Sequence, residues 1–189
     1  MVTTNNKSVA DKIRLLRSHG VTRGRDLMEN PTDDPWYYEQ IELGFNYRMT
    51  DIQAALGCAQ LKRIETITDK RNMLALSYER MLQGFPLTTQ KIHPCSTSSY
   101  HLYVVNLDKN INRRGVFDYL KSKNIGANVH YIPLYRHPYY KDLKFQKNDF
   151  PCCEQYYDSC ITIPLFPELS NSDQRFIVDA LQEGIQLCS

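Results

Sequence analysis

Two stretches of this sequence concentrate side chains that could do chemistry. The first is Gly44-Phe45-Asn46-Tyr47-Arg48-Met49-Thr50, immediately ahead of a helical pattern. A helix N-terminus offers unpaired N–H groups and the positive end of a dipole, which suits a phosphate. Asn46 adds an amide donor, and Arg48 a planar cation able to hold phosphate or carboxylate through two parallel hydrogen bonds. The same residues also suit a plainer role, with Asn46 shaping the turn and Arg48 lying on the surface. The second stretch runs from Asn128 to Tyr140 and gathers His130, Tyr131, Tyr135, Arg136, His137, Tyr139 and Tyr140 around Ile132 and Pro133. Imidazoles, phenols and a guanidinium at a strand end can hydrogen-bond a sugar or nucleotide and stack on a ring. They also suit the tyrosine-rich edge of a core. No glycine-rich phosphate loop, H-E-x-x-H zinc pattern or G-x-S-x-G nucleophile turn is present. His93 and Cys95 lack a second ligand pair at metal spacing, so no metal site is expected.

The elements that must position these residues follow from periodicity. Ser8, with Asp11 three residues on, is expected to cap a first helix that carries Val9, Ile13 and Leu16 on one face and stops at Gly20. Residues 21–45 read as a loop punctuated by Gly24, Pro31, Pro35 and Gly44. A loop of that length usually has a role. Thr50, with Gln53 three residues on, predicts the start of a single long helix running to Gly84 and Pro86, long enough to join two domains. Strands are expected at 101–107, 128–132 and 161–165, the second stopped by Pro133. Helices are expected between them at 113–123 and after Asp149 with Pro151 in the first turn, and a last helix is expected after Ser170. Strands interleaved with helices predict a small α/β sandwich.

Composition narrows the function classes. Apolar residues make up 42% and charged residues 23% of the 189, the balance of an ordinary globular protein. A net charge of +2 gives no argument for a nucleic-acid or membrane partner. The six cysteines include no C-x-x-C pair and read as free thiols. No apolar run approaches the length of about 20 residues that spans a bilayer, and the polar first residues do not resemble a signal peptide. A cytoplasmic protein is expected.

The run Gly44 to Gly57 (G-F-N-Y-R-M-T-D-I-Q-A-A-L-G) resembles the signature of the DegT/DnrJ/StrS family of sugar aminotransferases. Val129-His130-Tyr131-Ile132-Pro133, Pro138-Tyr139-Tyr140, Asp149-Phe150-Pro151 and Ile163-Pro164-Leu165-Phe166-Pro167 are similar to later blocks of that family, in order. Leu16-Arg17-Ser18-His19-Gly20 and Pro35-Trp36-Tyr37-Tyr38-Glu39 most resemble members that aminate a UDP-linked 4-keto sugar on the pseudaminic acid route.

The resemblance implies an α/β fold: the C-terminal part of a pyridoxal-phosphate (PLP) dependent transferase of the aspartate aminotransferase type. Residues 1–85 would be a remnant of the large cofactor domain with its connecting helix, and 86–189 the small domain. It implies a homodimer, glutamate as amino donor and a UDP-sugar as acceptor. Asn46 would reach the cofactor phosphate across the dimer. Arg48 would meet anionic substrate groups, and His130, Tyr131, Ile132 and Pro133 would line the sugar-nucleotide pocket. Tyr135 would belong to the same substrate-binding set, at a position where many relatives carry histidine. The lysine that binds the cofactor covalently would lie upstream of Met1, since Lys7 and Lys12 have the wrong sequence context. Two alternatives accompany this expectation: the same chemistry on another nucleotide sugar, or a non-catalytic binding or assembly domain.

Overall fold

The computed structural model describes residues 2–189, which form two compact units meeting between Lys62 and Arg63. In the N-terminal unit, α1 spans Lys7–Leu16. Its cap is Asn6, whose side-chain oxygen accepts the Val9 N–H at 3.2 Å. The cap expected at Ser8 is therefore displaced by two residues, because an asparagine two positions earlier caps the free amide of Val9 and lets the helix begin at Lys7. The loop that follows contains a short antiparallel ribbon, β1 (Val21–Thr22) against β2 (Glu39–Gln40). Then comes α2 (Asp51–Leu61), with the expected capping box between Thr50 and Gln53.

This unit buries almost nothing. Apart from Gly20, Thr22 is its one buried residue among those described, and every apolar residue of the core lies at position 75 or later. On α2, Ile52 is 84% and Leu56 61% exposed, so the apolar stripe that predicted the helix faces no partner within the unit.

The single long helix expected from Thr50 is two helices. The α-helical hydrogen-bond pattern breaks at Arg63, whose backbone sits at φ −110°, ψ 1°, and α3 (Ile64–Met81) begins after it. Apolar periodicity continues across the break because each helix has its own stripe. The stripe of α3 places Ala75 and Tyr78 in the core of the C-terminal unit.

That unit is built on a three-stranded antiparallel sheet in the order β3 (Leu87–Thr89), β4 (Tyr103–Leu107), β5 (Cys160–Ile163). Helices α4 (Arg113–Ser122), α5 (Pro151–Ser159) and α6 (Asn171–Cys188) complete it. The pairing puts Tyr103 opposite Ile163 and Val105 opposite Ile161. With a side-chain period of two, these four and Leu107 share one face. They join Val116 and Leu120 of α4 and Ile177, Leu181 and Ile185 of α6 in one cluster. Val104, Asn106, Cys160 and Thr162 form the opposite face. Tyr78 is fully buried, donates its hydroxyl to the Pro164 carbonyl at 2.9 Å, and lies 4.9 Å from the Tyr103 ring, centroid to centroid. Burial pushes both phenols above the usual tyrosine range.

Two expectations change here, and one strand was not foreseen. Residues 128–132 form no strand; a single bridge joins Asn128 to Thr162. Asn128 exchanges both of its backbone hydrogen bonds with Thr162, and the chain then leaves the sheet, with the Asn128 side chain accepting the Val129 N–H at 2.8 Å. Strand β3, a run of Leu-Thr-Thr, was too short to stand out in the sequence. Asp149 accepts the Gln146 N–H at 2.8 Å in a 3-10 turn rather than capping α5, which starts at Pro151 with no side-chain cap. Among the described residues, no helix is long and apolar enough to cross a membrane.

Candidate functional site

Asn46 and Arg48 sit on an extended segment stitched to the end of α1. Phe45 N–H donates to the Leu16 carbonyl at 2.8 Å, His19 N–H to the Phe45 carbonyl at 2.9 Å, and Tyr47 N–H to the Arg17 carbonyl at 2.9 Å. Two glycines permit this closeness. Gly20 adopts φ +68°, and a side chain on Gly44 would meet backbone atoms of Leu16, His19 and Gly20 within 2.6 Å. Asn46 and Arg48 are exposed. The helix end beyond them is less open to an anion than the sequence suggests, since the Thr50 hydroxyl already accepts the Gln53 N–H at 3.3 Å.

The loop between α1 and this segment is organised by Glu39. Its carboxylate accepts the backbone N–H of Glu29 at 2.6 Å and of Asn30 at 2.9 Å, and the Tyr37 hydroxyl at 2.9 Å. Partial burial pushes the Glu39 carboxyl up, but these donated hydrogen bonds outweigh it and hold the group below its ordinary range. A depressed carboxylate stabilises the fold above its unfolded value, near about 4.3, and loses that contribution as pH falls through the folded value. The amide resonances of Glu29 and Asn30 should therefore titrate together with a midpoint below the ordinary glutamate value. A midpoint at or above that value would contradict the arrangement.

In the C-terminal unit, His130 is held from several sides. Its Nδ1 lies 2.9 Å from the Thr162 hydroxyl and its Nε2 3.3 Å from the Asn128 side-chain nitrogen, a donor. That pairing makes Nε2 the acceptor from Asn128 and leaves Nδ1 to the Thr162 hydroxyl. The Tyr156 hydroxyl donates to the His130 carbonyl at 3.1 Å. His130 is thus anchored, while Tyr131 and Ile132 are 66% and 46% exposed. Pro133 is buried. Tyr135 donates its hydroxyl to Glu154, and Arg136 holds the same carboxylate, with its Nε 2.9 Å from Oε1 and a second contact to Oε2. The Arg136 guanidinium also lies over Tyr157, 4.6 Å from the ring centroid. Glu154, Thr162 and Tyr156, which hold this segment, had no local signal in the sequence. Each meets it from a position remote in the chain.

Lys7 and Lys12 are ion-paired with Asp11 and Glu42 on an exposed surface. A lysine that condenses with an aldehyde must be neutral, which desolvation favours and a carboxylate partner opposes. Neither lysine has the surroundings of one that condenses with an aldehyde, while the Asn46 amide is exposed and free to donate.

The model of the DegT/DnrJ/EryC1/StrS aminotransferase family matches residues 1–182. This chain belongs to the DegT/DnrJ/EryC1/StrS aminotransferase family. It is 35% identical over 192 residues to the spore coat polysaccharide biosynthesis protein SpsC of Bacillus subtilis, covering 98% of this chain and 49% of that protein. It is 33% identical over 187 residues to the UDP-4-amino-4,6-dideoxy-N-acetyl-β-L-altrosamine transaminase of Campylobacter jejuni, covering 95% and 46%. Among solved structures it matches Helicobacter pylori PseC, an aminotransferase of pseudaminic acid biosynthesis, with TM-score 0.84 and 27% identity over 97% of this chain and 48% of that one. The PMP and PLP forms of Spr1654 from Streptococcus pneumoniae match in fold, with TM-scores 0.85 and 0.84 at 24% identity, covering 97% of this chain and 45% of theirs. The DegT/DnrJ/EryC1/StrS member described here thus spans about half the length of the curated relatives it matches. It has the α/β fold of the corresponding part of the PLP-dependent sugar aminotransferases.

Proposed function

We propose that this chain is the C-terminal half of a PLP-dependent aminotransferase that moves the amino group of glutamate to C4 of a UDP-linked 4-keto-6-deoxy sugar, working in the cytoplasm as a homodimer. The observation that carries the reading is the 33% identity to the Campylobacter transaminase across 95% of the chain. In this reading residues 1–85 belong to the large domain and 86–189 to the small one. PLP, when bound, supplies the electron sink that lets nitrogen pass between donor and keto sugar.

The part played by this chain is binding and orientation. Asn46 donates its amide to the cofactor phosphate, and Arg48 pairs with an anionic group of the substrate. His130, fixed by Thr162 and Asn128, sets the course of the backbone that offers Tyr131 and Ile132 to the sugar nucleotide. Tyr135, bound to Glu154, steadies the turn that follows Pro133. The exposed Ile52 and Leu56 on α2 suit coverage by the upstream half or by a second subunit.

Two linked measurements test the proposal. The 189-residue chain alone, mixed with stoichiometric PLP and dialysed, should retain no covalent visible band. A band lost on changing one particular lysine would show that the reactive amine lies within the chain. Joined to an upstream half, the complete protein should form amino sugar from the UDP-4-keto sugar and glutamate. Absence of product from an intact, PLP-loaded protein would favour a non-catalytic role, and product from a different nucleotide sugar would correct the substrate.

A further inference from the structure

The N-terminal unit has a concavity of about 440 Å³ lined by Ser18, His19, Val21, Arg23, Tyr38 and Arg48. That volume lies within the range of about 300–1,000 Å³ typical of small-molecule sites. Arg23 directly follows β1 and Tyr38 directly precedes β2, so the ribbon brings the two together. The Arg23 guanidinium stands 5.9 Å from the Tyr38 ring centroid. Arg48 arrives on the segment stitched to residues 17–19, the same stretch that contributes Ser18 and His19.

The lining holds two guanidinium groups, an imidazole, the Ser18 hydroxyl and the Tyr38 phenol, and no carboxylate. Elsewhere in this unit the basic side chains of Lys7, Lys12, Arg14 and Arg25 each pair with an acid. Among the described residues, Arg23 and Arg48 do not. Two cations gathered in one concavity without counter-charge repel one another and favour an anion between them. Each guanidinium presents a fork matched to a phosphate, so the pair suits two linked phosphates better than one.

The geometry points to this concavity as the seat of the diphosphate of a nucleotide sugar, with Arg23 as a second anion-binding residue beside Arg48. The choice of a diphosphate rests on the sugar-nucleotide reading proposed above. A cofactor phosphate shares the same chemistry, and competition separates the two sources.

Inorganic pyrophosphate titrated calorimetrically into the 189-residue chain should bind at one saturable site. UDP should displace it, whereas uridine and PLP should not. Arg23→Gln and Arg48→Gln should each weaken pyrophosphate binding by roughly tenfold or more, the loss expected for a charge-assisted hydrogen-bond pair. Arg14→Gln, on α1 and paired with Asp11, should leave binding unchanged. The assignment is overturned if pyrophosphate fails to bind, if Arg23→Gln binds it as the unaltered chain does, or if PLP displaces it and UDP does not. In the complete enzyme, Arg23→Gln should raise KM for the UDP-sugar with little change in that for glutamate. An unchanged KM would overturn the site while leaving the aminotransferase reading intact. Pyrophosphate and UDP binding in a protein that forms no amino sugar would support the site and count against that reading.

Discussion

Tyr78→Ala should cost residues 63–189 about 3–5 kcal/mol of stability, the usual loss for truncating a buried aromatic to alanine. A domain's whole margin is about 5–15 kcal/mol, so the midpoint of urea denaturation should fall steeply. Tyr78 is singled out because it joins three elements. It rides on α3, packs against Tyr103 of β4, and hydrogen-bonds the Pro164 carbonyl just after β5. Removing the ring opens a cavity where helix and sheet meet. Two milder variants separate packing from hydrogen bonding. Tyr78→Phe keeps the ring but leaves the Pro164 carbonyl unpaired, and should cost about 1 kcal/mol. Tyr103→Phe should be neutral or slightly stabilising, because the Tyr103 hydroxyl is buried without a partner among the described residues and gains nothing to offset its desolvation. Equal losses from the two phenylalanine variants would refute this account of the core.

Gly44→Ala should have the second large effect, confined to the N-terminal unit. The added Cβ would lie 2.2 Å from the Gly20 amide nitrogen and 2.6 Å from both the His19 carbonyl carbon and the Leu16 oxygen. All three are backbone atoms, so no flexible side chain can move aside. The segment must part from the end of α1, at a cost of about 3 kcal/mol by the usual scale of overpacking. The Phe45 and Tyr47 amides, which bond to Leu16 and Arg17, report on this directly. Their hydrogen-exchange protection should drop roughly a hundredfold, or to the unprotected rate if they open more easily than that. The C-terminal unit should keep its denaturation midpoint. Because Asn46 and Arg48 lie on the released segment, the same variant should also lose pyrophosphate binding. Unchanged protection at Phe45 and Tyr47 would mean that the close approach at Gly44 does not hold the segment.

Much of this was legible from residue order because it depends on local chemistry. The capping boxes and caps at Thr50 and Ser170 were readable, since a side-chain oxygen three residues before a free amide needs no long-range information. The β-branched and aromatic run at 101–107 announced a strand, and the apolar spacing of Ile177 and Leu181 after Ser170 announced the last helix. The family resemblance was legible because ordered motifs run along the whole chain.

The sequence by itself determined the helices with strong caps, the strands β4 and β5 and membership of the aminotransferase family. Each is set by neighbours in the chain or by motifs carried in order. Tertiary structure decided what apolar periodicity cannot encode: whether a stripe finds a partner. It split one expected helix into α2, whose stripe is exposed, and α3, whose stripe is core. It reduced the strand expected at 128–132 to a single bridge between Asn128 and Thr162. It set Glu154 against Tyr135 and Arg136, and Arg23 with Tyr38 beside Arg48. Those groupings join residues remote in the chain, and pairing across a turn or between a helix and a loop is fixed by packing and hydrogen-bond satisfaction, which act only once the chain has folded back on itself.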